Sequence, residues 1–253
     1  MEEVELIIKL PENKYNTIMT MYDTFPAEWK KWGLEAIKNG TKMPKIERNI
    51  KHKFIEIKYL PVGSVVEFGG MQWEILDQHF PALAGTPALT GTGCEGVFCL
   101  AKDIVNYKAF DENKCNDWRT STLRDYLNGD FKNTLAANMY ENFILPFERD
   151  LISDDGLKDY EKCVDYVSLI SYDEYRKYRY YISNKLNAWW TITPWSTSSS
   201  GRSYNARYIF NDGLLSSNSV YCEGYGVVPC LCVREFLTVK VISIKEENKN
   251  ESV

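Results

Sequence analysis

Val65-Val66-Glu67-Phe68-Gly69-Gly70-Met71-Gln72-Trp73-Glu74-Ile75-Leu76, residues 65–76, reads as two strands joined by a two-residue turn. A Gly-Gly pair between two apolar-rich runs supplies the positive φ values that tight hairpins need. Working back from it, Phe54–Leu60 has strand composition, and Lys42–Lys53 carries Lys42, Lys45, Arg48, Lys51 and Lys53 with little apolar content. Such a charged stretch marks a solvated connection. Upstream, Val4, Leu6, Ile8 and Leu10 alternate with Glu5, Ile7 and Lys9 up to Pro11, which predicts a short strand. Helical spacing follows over Tyr15–Tyr22 and Ala27–Asn39, the latter bracketed by Pro26 and Gly40. The chain thus divides into a small N-terminal strand-helix element (1–50), a main domain (51–246) and a frayed tail (247–253).

Downstream of the hairpin, Pro81–Gly93 is rich in Gly, Pro and Thr and reads as a loop leading to a strand at Gly96–Ala101. Trp118–Gly129 has a hydroxyl cap, apolar Leu123, Tyr126 and Leu127, and a terminal glycine, the punctuation of a short helix. Another helix is expected over Lys132–Asn142. Asp165–Ile170 is a strand that runs into Ser171 and Glu174, a capping box. From Ala188 the pattern is strands and turns: Trp189–Ile192, Tyr204–Phe210, the Asn211-Asp212-Gly213 turn, Leu214–Cys222 and Val227–Val233. Strands and helices in this mixed order predict an α+β fold.

Composition excludes several classes. Hydrophobic content of 44% with 26% charged residues is ordinary for a folded globular chain. A net charge of -5 offers no basic face for nucleic acid. The start Met1-Glu2-Glu3-Val4-Glu5 lacks a basic, apolar leader, and no run of 18 apolar residues occurs, so synthesis in the cytoplasm without membrane insertion is expected. The 7 cysteines (Cys94, Cys99, Cys115, Cys163, Cys222, Cys230, Cys232) have no paired metal-ligand spacing and read as small buried hydrophobes. Of the two histidines, His52 lies in the basic connection, so a Ser-His-Asp triad would have to use His79, and no nucleophile elbow, phosphate loop or dinucleotide fingerprint is present. No enzyme, cofactor or metal is expected on these grounds. Ser121, Arg124 and Asn128 share one helix face, where capping and a buried hydrogen-bond network are the ordinary use, so Arg124 is read as a structural bracket.

Over residues 62–244 the chain resembles a family of uncharacterised domains of Gram-positive gut bacteria and their phages, for which the C-type-lectin-like fold is expected. The resemblance rests on four ordered blocks: Phe68-Gly69-Gly70-Met71-Gln72-Trp73; Trp118, Ser121, Leu123, Arg124, Leu127 and Asn128; Val167-Ser168-Leu169-Ile170-Ser171 with Glu174; and Trp189-Trp190, Thr193-Pro194, Asn211-Asp212-Gly213 and Gly226-Val227-Val228-Pro229. The family usually has arginine where this chain has Val228, so a polar anchor there is missing. Residues 1–44 resemble a short N-terminal element of assorted phage and prophage proteins, through Val4–Lys9 and Ala36–Thr41. These resemblances imply a phage or prophage product, virion-associated, that attaches or self-associates through its N-terminal element. The calcium-site signatures of true lectins are absent, and Asn116-Asp117-Trp118 has similar letters in another order.

Some phage members of this fold are similar to the variable proteins of diversity-generating retroelements, whose C-terminal ligand-binding face is rewritten at adenines. Trp195–Tyr225 is dense in the Tyr, Ser, Asn, Asp and Gly that rewritten Asn codons yield, and adaptable paratopes use the same residue types. The binding-face candidates are Trp190, Trp195, Ser196, Ser198, Arg202, Tyr204, Asn205, Tyr208, Asn211, Tyr221 and Tyr225, with Trp189 assigned to the core. The expected partner is a protein or glycan surface. A flexible Ser-rich connection beside a filled core accounts for the same composition. Two alternatives stand beside the binding reading: a structural virion or assembly component, and a formylglycine-generating type of oxidase using paired cysteines, for which the chain offers Cys94 with Cys99 and Cys230 with Cys232.

Overall fold

The computed structural model describes residues 53–83, 93–139 and 141–245. The strand-helix element expected over 1–50, the tail 247–253 and residues 84–92 of the expected loop lie outside the described residues. In chain order the strands are β1 (Lys53–Glu56), β2 (Val65–Phe68), β3 (Met71–Leu83), β4 (Gly93–Ala101), β5 (Asn106–Tyr107), β6 (Ile144–Leu145), β7 (Phe147–Arg149), β8 (Cys163–Asp165) and β9 (Val167–Leu169). They continue with β10 (Trp189–Pro194), β11 (Asn205–Ile209), β12 (Leu215–Ser219), β13 (Gly226–Val227), β14 (Pro229–Val233) and β15 (Thr238–Ser243). The α-helices are α1 (Thr122–Tyr126), α2 (Lys132–Ala137) and α3 (Tyr172–Tyr178). The architecture is therefore mixed α and β, with strands predominating among the described residues.

The Gly-Gly hairpin forms as its sequence predicts. Gly69 and Gly70 both take positive φ (61° and 82°), and Phe68 faces Met71 across the turn. This hairpin joins an 8-stranded sheet of order β1-β15-β2-β3-β4-β14-β6, with β9 also pairing β14. A second, 5-stranded sheet has the order β12-β11-β10-β13-β5, and β7 pairs β8 separately. β13 is parallel to β10, Trp189 facing Gly226.

Several element readings differ from expectation. β3 runs on through Pro81–Leu83, within the expected loop, because these residues pair with Gly93–Glu95 of β4. The strand expected over Phe54–Leu60 stops at Glu56 and becomes a short 3-10 turn over Ile57–Tyr59. The helix expected over Lys132–Asn142 ends at Ala137, followed by a 3-10 turn over Glu141–Phe143. The pattern also leaves out β5, β6, β7, β8 and β15; β15 inserts between β1 and β2 with Lys240 paired to Glu67 at 3.1 Å.

Two apolar cores result. One, beneath the large sheet, contains Trp73, Phe98, Phe147, Trp189 and Leu231; the other contains Phe110, Trp118, Leu127, Trp190 and Tyr208. The consecutive residues Trp189 and Trp190 belong to different cores because successive side chains on a strand point to opposite faces. The small sheet is thus buried on both sides around β10, whose six residues are all buried.

The Trp118–Asn128 block is a structural bracket, as its spacing predicts. Ser121 caps α1 by accepting from the Arg124 backbone N–H. Asp165, buried, accepts from Trp118 Nε1 at 2.7 Å and from Arg124 Nε at 2.7 Å. Asn128 completes the attachment to β9, donating to Val167 O and accepting from the N–H groups of Tyr166 and Val167. It sits in a π-turn over Leu127–Phe131 that separates α1 from α2.

Candidate functional site

Part of the expected C-terminal face gathers where β11 begins and β12 ends: Ser198, Arg202, Tyr204 and Tyr221 are exposed there, and Trp195 and Asn205 half-buried. Val220 N–H donates to Tyr204 O, which brings the Tyr204 backbone beside Val220, the residue before Tyr221; Tyr204 and Tyr221 are 46% and 51% exposed. Trp195 N–H donates to Asn205 O, carrying Trp195 to the same end, and the exposed Arg202 guanidinium lies 5.4 Å from its ring centre. Lys114 Nζ stands 5.5 Å from the Tyr221 ring centre. Its backbone φ is +65°, a left-handed conformation that a lysine adopts only at some cost. Ser219 Oγ donates to Asn205 Oδ1 at 3.3 Å between the two strands.

The Ser-rich stretch is not a loose connection, because two aspartates from an earlier segment hold it. Ser196 Oγ donates to Asp155 at 2.6 Å, and Thr197 Oγ1 and the Ser199 N–H donate to Asp159 at 2.6 and 3.0 Å. Hydrogen bonds from Ser153 and Ser196 hold the Asp155 carboxyl below its ordinary pKa. Those from Ser199 and Thr197 do the same for Asp159. Beneath the loop, Asn116 donates to Ser196 O and Asn205 O and accepts from Tyr160 Oη, whose pKa burial pushes up to about 12. Ser198 stays exposed on a short 3-10 turn over Ser198–Ser200.

Several expected face residues lie elsewhere. Trp190 is fully buried, Tyr208 is 6% exposed and Ser196 is 3% exposed, so none of the three offers a contact surface. Trp190 and Tyr208 point into the second core, and Ser196 turns inward to Asp155. Tyr225 is half-buried, its ring 4.3 Å from Trp190 and 4.5 Å from Tyr208, with Asn218 donating to its hydroxyl. Asn211 is exposed but sits on the turn at the far end of β11, about 20 Å of extended chain from Tyr204. The gathered face is therefore Trp195, Ser198, Arg202, Tyr204, Asn205 and Tyr221. Lys114, Ser219, Asp155 and Asp159 belong with it but were not signalled by the C-terminal composition, because they come from distant segments or from a plain serine.

The other chemically suggestive groups are engaged. A polar cleft of about 440 Å³ lies between β7 and α3. Its charges are largely spent on one another: Arg149 with Glu174, Lys162 with Glu148, Arg176 with Asp173, and Asp154 with Arg207. Cys99, Cys230 and Cys232 are wholly buried, and burial raises the pKa of each thiol, which opposes thiolate chemistry. Cys94 is partly exposed. No group of three or more His, Cys, Asp or Glu able to hold a metal occurs among the described residues. No described helix is long and apolar enough to cross a membrane.

No curated protein and no solved structure matches this chain. One family model, described as a domain of unknown function, DUF6273, matches residues 95–235, which runs from β4 to just past β14 and includes every gathered face residue. Since that match takes in more than half of the sequence, the chain belongs to the DUF6273 family.

Proposed function

We propose that the face built on Trp195, Arg202, Tyr204, Asn205 and Tyr221 is a ligand-recognition surface on a C-type-lectin-like domain. In this reading the protein is a phage- or prophage-encoded display protein that binds a protein or glycan surface and carries out no chemistry. The observation that carries it is that two half-exposed tyrosines, Tyr204 before β11 and Tyr221 just past β12, lie where the two strands are joined by the Val220–Tyr204 backbone bond, with Arg202 over Trp195 and Lys114 over Tyr221. Tyrosine, tryptophan and arginine dominate binding hot spots because they combine large contact area with hydrogen-bonding capacity and low ordering cost. The loop beside them is held in place before any ligand arrives, which reduces the entropy lost on binding.

Tyr204, Asn205 and Tyr221 are of the types that adenine-directed rewriting of Asn codons yields, which agrees with diversification by a retroelement, whereas Trp195 is not such a product. The buried, proton-retaining thiols speak against the oxidase alternative. The test is binding of the full chain and of Tyr204→Ala/Tyr221→Ala to a glycan array and to a displayed protein library. Specific binders of the full chain that the double variant loses, with its melting temperature unmoved, support the reading. Binders that the double variant retains at full affinity overturn it.

A further inference from the structure

Among the described residues the small sheet ends at β12, where the outer backbone groups are open. β11 and β12 pair antiparallel in an unbroken register, Asn205 facing Ser219 through to Ile209 facing Leu215. Phe210 N–H donates to Leu214 O and Val220 N–H donates to Tyr204 O, so the even-numbered residues form the hydrogen-bonded pairs. It follows that the N–H and C=O of Leu215 and Ser217 point away from β11, toward the sheet edge. At Ser219 the same outward groups are closed off: its N–H donates to Asn218 Oδ1 and its C=O accepts from Cys222. Leu215 and Ser217 have no such closure among the described residues.

Natural sheets guard exposed edges with charged side chains, prolines or bulges. Leu214-Leu215-Ser216-Ser217-Asn218-Ser219 has no charge and no proline, its pairing is regular, and Phe210, Leu214 and Leu215 are exposed beside it. We propose that β12 pairs edge to edge with β12 of a second copy of this chain, antiparallel and centred on Ser216. In that register Leu215 of each copy lies opposite Ser217 of the other, and the open N–H and C=O groups satisfy one another. Ser216 meets its own counterpart at the two-fold axis, where a small side chain fits. The uncharged edge favours a second copy because self-pairing places like against like, and any charge on the strand would repel itself. This contact is separate from the Tyr204–Tyr221 face and stands or falls independently of the ligand reading.

Sedimentation velocity on the full chain tests the pairing. The expected result is a monomer–dimer equilibrium with a dissociation constant on the order of 10–100 μM, the regime of small transient interfaces. Ser217→Pro removes the outward N–H without touching the β11 ladder, since that N–H does not point at β11. It should weaken dimerisation at least about tenfold, as loss of backbone hydrogen bonds from both copies implies. Ser217→Lys places matched charges near the axis and should weaken it comparably while keeping the backbone intact. Circular dichroism establishes that each variant is folded. A wild-type chain that stays monomeric at millimolar concentration, or a dimer unchanged in both folded variants, overturns the proposal.

Discussion

Arg149 and Glu174 form a bidentate ion pair, both bonds 2.6 Å, that fastens β7 to the first turn of α3. Arg149 is 2% exposed and also donates to Leu169 O, while Glu174 closes the capping box by accepting from the Ser171 N–H. Burial alone would raise the pKa of Glu174, but Arg149 and the bonds from Ser171 outweigh it and hold the pKa below the ordinary value. The pair's stabilisation is therefore complete above the unfolded-state pKa of about 4.3 and is lost as pH falls through the lower folded value. Arg149→Met, which leaves a largely buried carboxylate at the cleft wall without its partner, should cost about 2–4 kcal/mol in chemical denaturation, below the full penalty because Glu174 keeps some access to water. In Glu174→Gln the loss of stability with falling acid pH should be shallower than in the wild type. Equal acid slopes would show that this pair is not what titrates.

Tyr208 and Tyr204 test the division between core and face. They are four positions apart on or beside β11, yet Tyr208 contacts Trp190, Phe210 and Tyr225 whereas Tyr204 is half exposed. Tyr208→Ala should destabilise by about 3–5 kcal/mol, as for other buried aromatics. Tyr204→Ala should stay within about 0.5 kcal/mol. Thermal melts of the two variants decide it, and equal losses would contradict the assignment.

Asp159 is the side-chain acceptor for Thr197 and for the Ser199 amide. Asp159→Asn should accelerate hydrogen exchange of the Ser199 amide several-fold while leaving the global transition in place, because an opening confined to one loop lies far below global unfolding. Since hydrogen bonds lower the pKa of Asp159, the wild-type loop should hold above the unfolded pKa of about 3.9 and loosen as pH drops through the folded value. Exchange at Ser199 that is insensitive to the substitution would remove Asp159 from the support of the face.

Gly96 leaves room for the facing strand. A Cβ there would lie 2.5 Å from Cys232 Sγ, 2.8 Å from Leu145 Cδ1 and 2.8 Å from the Val233 carbonyl oxygen. The sulfur can turn aside but the carbonyl belongs to the β14 backbone, so Gly96→Ala should cost about 1–3 kcal/mol by overpacking. A denaturation midpoint equal to the wild type's would show that β4 and β14 separate more readily than this geometry implies.

What could be read from the sequence was local. The Gly69-Gly70 turn, the Ser171–Glu174 capping box and the Ser121 cap on the Arg124 amide each depend on residues a few positions apart, where chain geometry determines which groups meet. The final strand β15 was missed because its partners β1 and β2 lie at the other end of the domain, with Lys240 and Glu67 173 positions apart. The face was legible only in part for a related reason. A stretch rich in Tyr, Ser and Asn suggested recognition, but composition assigns no direction to a side chain.

The amino-acid order alone determined the mixed α and β character, the hairpin, the caps and a carboxyl-terminal region suited to contact, since propensity and turn chemistry act over short spans. Only the tertiary structure decided which aromatics meet water. A sheet covered on both sides around β10 takes Trp190 and Tyr208 inside and leaves Tyr204 and Tyr221 out, and that outcome depends on packing partners from distant segments. The same holds for the serine loop, which becomes a fixed support only because Asp155 and Asp159, about 40 positions earlier, arrive beneath it.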